Sequence, residues 1–186
     1  MESRLTLGTA AVVLAGLRCA SRVLPLVHGP ELAERAGVAA DALAVRVTEG
    51  FAARGYPRTI GGDASDAAIT FLLAPIGEPQ PPLSLLGALE RAQTAMARPA
   101  GGLAPGASWK ADGISWTPET ALFALAWAAN GFPEKAEALL AWLGRHRTEA
   151  GSFPEKVLHD GRPAAVAPLA WTAASVVLAR HELVRA

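Results

Sequence analysis

Glu155 is a lone carboxylate in a polar stretch, just after Phe153-Pro154, and Trp171 opens an apolar run sixteen positions later. A carboxylate on a loop beside an aromatic plate is what a sugar site needs. Glycoside hydrolysis uses two carboxyl groups: one protonates the leaving oxygen, and the other activates water or attacks the anomeric carbon. An indole face supplies a large rigid surface for the apolar side of a pyranose ring. Trp109 and Trp116 lie in or beside a second loop, residues 98–115, and are the other candidate plates. Each residue also has a plainer reading. Glu155 reads as a solvated loop glutamate paired with Lys156, and a tryptophan beside a loop reads as a lid on the core. Trp127 and Trp142 fall within helices and are assigned to the core. Asp63 and Asp66 read first as helix caps.

Other chemistries find little support. His28, His146 and His159 have no metal-ligand spacing, and the single cysteine, Cys19, excludes a disulfide framework or a Cys-based zinc site. No metal or cofactor is assigned. The glycines at 101, 102 and 106 lack the Gly-Lys-Ser/Thr of a phosphate cradle, and there is no Gly-x-Ser-x-Gly elbow. Lys plus Arg and Asp plus Glu both total 17. That balance favours neither nucleic acid nor an anionic membrane as partner.

The elements that must position these residues read as all-α, in antiparallel helical hairpins, about seven helices in one domain over residues 1–186. Apolar residues make up 51% of the chain, much of it alanine, which suits close helix packing. The spacing predicts helices over residues 5–22, 31–53, 66–74, 83–97, 117–129, 133–144 and 168–183. The second should bury Leu32, Ala36, Ala39, Leu43 and Val47. Asp63 or Ser65 should cap the third. Thr117 should cap the fifth, with Pro118 at its first position and Glu119 favoring the dipole of its first turn. Pro25 and His28-Gly29-Pro30 mark a turn. The candidate loops, 101–116 and 151–168, fall between hairpins.

The apolar stretch from Leu5 to Leu17 resembles a signal-peptide core, but no basic region precedes it and no small-x-small cleavage site follows. At this length it is too short to span a bilayer. It reads as a helix buried on most faces, in a cytoplasmic protein, with Cys19 as a small buried hydrophobe.

The run SWTPETALFALAWAANG, the amphipathic helix after it, GSFPEKV, and then APLAWTAASVVLA resemble the C-terminal half of glycoside hydrolase family 15. That family contains glucoamylases, glucodextranases and bacterial trehalases. The resemblance implies part of an (α/α)6 toroid, the six-hairpin glycosidase architecture. It implies that Glu155 is the general base of an inverting mechanism, and that Trp116, with Trp171 and Trp109, shapes the sugar subsite. The ligand would be an oligosaccharide or disaccharide α-glucoside. The stretch LTLGTAAVVLAGLRCA resembles the helix that follows the family's general acid, which makes Glu2 the candidate remnant of that acid. Asp66-Ala67-Ala68 resembles a helix opening of the family. Lys156 stands where the family has glutamine, and Gly102-Leu103-Ala104 where it has an Arg-Tyr pair.

Half a toroid leaves apolar helix faces uncovered, so the resemblance implies a homodimer or pairing with the missing N-terminal half. The alternative is a catalytically inactive, truncated helical module that binds sugar or a partner protein. A terpenoid cyclase, another α-toroid enzyme, would want an Asp-rich motif that Asp63-Ala64-Ser65-Asp66 hardly supplies.

Overall fold

The computed structural model of the chain describes residues 4–27 and 29–185. Its α-helices are α1 Leu7–Val27, α2 Pro30–Phe51, α3 Leu83–Met96, α4 Thr117–Ala129, α5 Pro133–Arg145 and α6 Ala170–Arg185. With the six-residue 3-10 helix Ala67–Leu72 they make the seven helices anticipated; a 3-10 turn, Ala52–Arg54, extends α2. Two-residue strands β1 Ser115–Trp116, β2 Lys156–Val157 and β3 Pro163–Ala164 form a small antiparallel ribbon in the order β1-β2-β3. The fold is all-α, and among the described residues the ribbon is added to the anticipated elements.

The core is organised around α4. From Thr117 to Ala128 every residue is buried except Glu119. Phe123 and Trp127 are 0% and 1% exposed, and burying side chains of this size contributes about 1.5–3 kcal/mol each. α4 packs against α5 and α6, and α1 against α2 and the 3-10 helix. Links of only a few residues, at Asn130–Phe132 and between Val27 and Pro30, make α4–α5 and α1–α2 antiparallel hairpins. Gly131, at φ 83°, takes the left-handed turn that ends α4. Trp127 and Trp142 are core residues, as anticipated.

Several local expectations are corrected. α1 runs five residues past Arg22 and includes Pro25, which lacks the N–H that would bond the Ser21 carbonyl. At 21 residues it is long and apolar enough to cross a membrane by length and composition, unlike the shorter helix read from the sequence. It is not buried on most faces: Leu7, Ala10, Ala11 and Leu14 face inward, while Val12, Val13, Val23 and Leu26 are exposed. Cys19 is exposed on the same helix.

α2 buries Ala33, Ala36, Ala40, Val47 and Phe51, and Leu32 and Ala39 face out. Its inner face is therefore the alanine stripe, which lets α1 approach closely. The cap of the 3-10 helix is Asp66, whose Oδ1 accepts from the Ala68 N–H at 3.0 Å. α6 begins at Ala170, two residues beyond Pro168.

Candidate active site

The backbone around Glu155 is held on both sides. Its N–H donates to the Val166 carbonyl at 2.8 Å, and its carbonyl accepts from the Thr117 N–H at 3.0 Å. Thr117 was expected to cap α4. Trp116 takes that position instead, and the buried Thr117 hydroxyl bonds to the Pro154 carbonyl and the Thr172 hydroxyl. A tertiary partner has outcompeted the local cap. The first turn of α4 is thereby joined to the loop that carries Glu155 and to α6.

The ribbon brings the two candidate loops together. Ser115 pairs with Val157 and Trp116 with Lys156. Alternation sends successive side chains to opposite faces, so Ser115 and Val157, both 0% exposed, point inward while Trp116 and Lys156 point out. The Lys156 ammonium sits 4.3 Å from the Trp116 ring centre and 3.8 Å from Glu155 Oε2. Glu155 thus pairs with Lys156, and Lys156 in turn lies against the Trp116 ring.

Trp109 meets Trp116 edge to face, with centroids 5.9 Å apart and planes at 87°. The turn before Trp109 is pinned by the start of the 3-10 helix. Asp66 bridges to Gly106, the Ala107 N–H donates to the Ser65 carbonyl at 2.8 Å, and Trp109 N–H to the Gly106 carbonyl at 3.0 Å. A Cβ at Gly106 would lie 3.2 Å from the Ser65 carbonyl oxygen, a contact tight enough that the neighbouring backbone would have to shift by a few tenths of an ångström. Asp66 Oδ2 also accepts from Arg58 Nη1 at 3.1 Å. A cleft of about 320 Å³ opens beside Trp109, lined by Arg98, Pro99, Ala107, Ala111 and Gly113. Another of the same volume lies over Trp127 between α3, α4 and α5. Glu155 lines neither.

The remaining candidates divide. Trp171 stands at the start of α6, 51% exposed, with no ring contact among the described residues. Glu2 and His28 lie outside the described residues. Among those described, no group of three His, Cys, Asp or Glu is placed to hold a metal.

The residue that sequence reasoning missed is Glu119, taken only as a favourable charge in the first turn. Its Oε2 is buried without a hydrogen-bond partner. Burial, and then the fields of Asp66 and Glu155, push its carboxyl from 4.5 up to about 7, against the pull of its own backbone N–H. The sequence signal was a glutamate in a helix otherwise made of Ala, Leu, Phe, Trp, Thr and Pro. Trp116 Nε1, three residues earlier, is also buried and unpartnered.

No family model matches the sequence, and no curated protein matches it. Solved structures do match its fold. A wild-type glycosidase is 19% identical with a TM-score of 0.82, over 97% of this chain and 52% of that one. A point variant of a glycosidase in complex with glucose is 18% identical, at TM-score 0.83, over 98% and 53%. A bacterial glucoamylase complexed with acarbose is 18% identical, at TM-score 0.80, over 98% and 34%. The chain thus spans about half the length of the first two and a third of the last. Over 97–98% of its length the chain has the all-helical fold of part of these glycosidases, a bacterial glucoamylase among them.

Proposed function

We propose that this chain is the base-bearing part of an inverting glycoside hydrolase acting on α-glucosides, with Glu155 as the general base and Trp116 as the sugar plate. The observation that carries the reading is that Glu155, the residue just before β2, is bonded through its carbonyl to the Thr117 N–H, next to Trp116 at the start of the buried α4. Preorganised geometry of this kind is what activation of a water needs. The neighbouring structures that hold glucose and acarbose lend support to a sugar ligand. Trp109 braces Trp116 from its edge, and Trp171 offers an exposed plate at the rim. Glu2 remains the proposed remnant of the acid.

The test is hydrolysis of maltose and of an aryl α-glucoside by the wild type and by Glu155→Gln. Glutamine keeps the shape and cannot take a proton, so turnover should fall by a factor of about 10² or more while acarbose binding persists. Equal, measurable turnover in the two proteins would remove Glu155 from the role, and no turnover in either would favour the reading that follows.

A second reading, a sugar-binding module without catalysis, is favoured by Lys156. Its ammonium lies between the Glu155 carboxylate and the Trp116 face, on surfaces that a nucleophilic water and a sugar would share. This reading predicts no turnover by any variant, with acarbose binding lost in Trp116→Ala. Under both readings the exposed valines and leucines of α1 and α6 support association, with a second copy or with the rest of a toroid. Sedimentation of the purified chain distinguishes a monomer from a dimer.

A further inference from the structure

We propose that Glu119 is a ligand-binding residue of this site, hydrogen-bonding a hydroxyl of the sugar ring held on Trp116; this rests on the sugar-site reading above and deepens it. Glu119 is the one residue between Thr117 and Ala128 that the core does not enclose. It lies on the helical turn whose backbone is bonded to the Glu155 loop, three residues after Trp116. Buried polar atoms in native proteins almost always have partners. Here Glu119 Oε2 and Trp116 Nε1 lack them, three residues apart at the start of α4, near the loop that carries the candidate carboxylate. Two orphans in one place leave hydrogen-bonding capacity for something the free chain does not supply.

The chemistry of that missing partner follows from the surrounding charge. Asp66, at the start of the 3-10 helix, and Glu155, on the loop opposite, both act on Glu119. Their cations are engaged elsewhere, Arg58 on Asp66 and Lys156 on Glu155. Burial first, and that field second, disfavour the ionised form of Glu119, so the carboxyl keeps its proton to about pH 7. A neutral carboxyl offers one O–H donor and a carbonyl acceptor. That is the complement of a neutral polyol with hydroxyls on adjacent carbons, while the Asp66 and Glu155 carboxylates nearby disfavour an anionic ligand such as a uronic acid or a sugar phosphate. The site would therefore favour neutral sugars over acidic ones.

The experiment is calorimetric titration of the full chain with acarbose and with maltose, at about pH 5.5 and about pH 8.5. The proteins are the wild type, Glu119→Gln, Glu119→Ala and Trp116→Ala. Wild-type binding should weaken roughly tenfold at the higher pH, the equivalent of about 1.4 kcal/mol. Glu119→Gln, an uncharged donor and acceptor at every pH, should bind equally at both. Glu119→Ala should bind about tenfold more weakly at the lower pH, consistent with a lost hydrogen bond. If Glu119→Ala binds like the wild type while Trp116→Ala does not bind, the inference fails and the sugar-site reading stands. If the wild type binds neither ligand, both fail. Should the alanine variant not fold, as seen by circular dichroism, the glutamine variant decides alone: retention of the wild-type pH step overturns the inference.

Discussion

The hydroxyls of Thr117 and Thr172, fifty-five residues apart in the chain, meet at 2.8 Å in a buried site. The Thr117 hydroxyl also reaches the Pro154 carbonyl, next to Glu155. One residue of α4 therefore couples α6 to the candidate base. Thr117→Val keeps the shape and leaves buried oxygens unsatisfied, which costs about 1–3 kcal/mol. Urea unfolding should show that loss in the single variant. In Thr117→Val/Thr172→Val the combined loss should be smaller than the sum of the two singles, because the second change removes an oxygen already left unpaired. Simple additivity would mean that the two hydroxyls are not coupled.

Glu119 makes stability depend on pH in a known direction. Its folded value, about 7, lies above its ordinary 4.5. Between these values the native state holds a proton that the unfolded chain has released, so stability falls as pH rises through this window and levels off above it. At 1.36 kcal/mol per unit the full drop is about 3 kcal/mol. Thermal melts of the wild type and Glu119→Gln from about pH 4 to about pH 8 should differ by this component, the glutamine variant having the flatter profile. Parallel profiles would show that Glu119 ionises freely in the folded chain.

Gly102 sets how closely the 98–115 loop approaches the core. An added Cβ would lie 2.5 Å from the Trp142 ring and 2.8 Å from Ser115 Cβ, both on buried residues. Gly102→Ala should destabilise by about 1–3 kcal/mol through overpacking. It should also displace Ser115, and with it Trp116, so the near-ultraviolet circular dichroism of the tryptophans should change. Wild-type stability in this variant would show that the loop yields at little cost.

The Lys156–Trp116 contact is partly exposed, and such cation–π pairs contribute about 0.5–1 kcal/mol. Lys156→Gln restores the residue type of the resembled family and frees both Glu155 and the indole face. Its stability should fall by no more than that amount. Acarbose binding, if the ammonium covers the plate, should tighten. Weaker binding in this variant would make Lys156 a ligand contact.

Much of this protein was legible from sequence because its signals are local. Proline, glycine and apolar periodicity delimit α3, α4 and α5 to within a residue or two. The order of GSFPEKV and the Leu169-Ala170-Trp171 start carries the family resemblance. The misassigned features are those that depend on distant partners. The inner face of α2 depends on which residues meet α1, and a stripe of alanines carries a weak hydrophobic signal beside Leu32. Thr117 had the sequence of a cap, and a partner fifty-five residues away took its hydroxyl.

The sequence by itself determined an all-helical chain in hairpin order, a lone carboxylate in a loop and aromatic plates nearby. Backbone propensity and periodic burial act over a few residues, so they can be read without a fold. Tertiary structure alone decided that Trp116 pairs with Lys156, the neighbour of Glu155, that Trp109 meets Trp116 edge to face, and that Trp171 stays exposed at the start of α6. It also decided the state of Glu119. A carboxyl's proton affinity is set by the water removed from it and by the charges gathered around it. Both are properties of the folded neighbourhood: here a closed core behind α4, with Asp66 and Glu155 in front of its first turn.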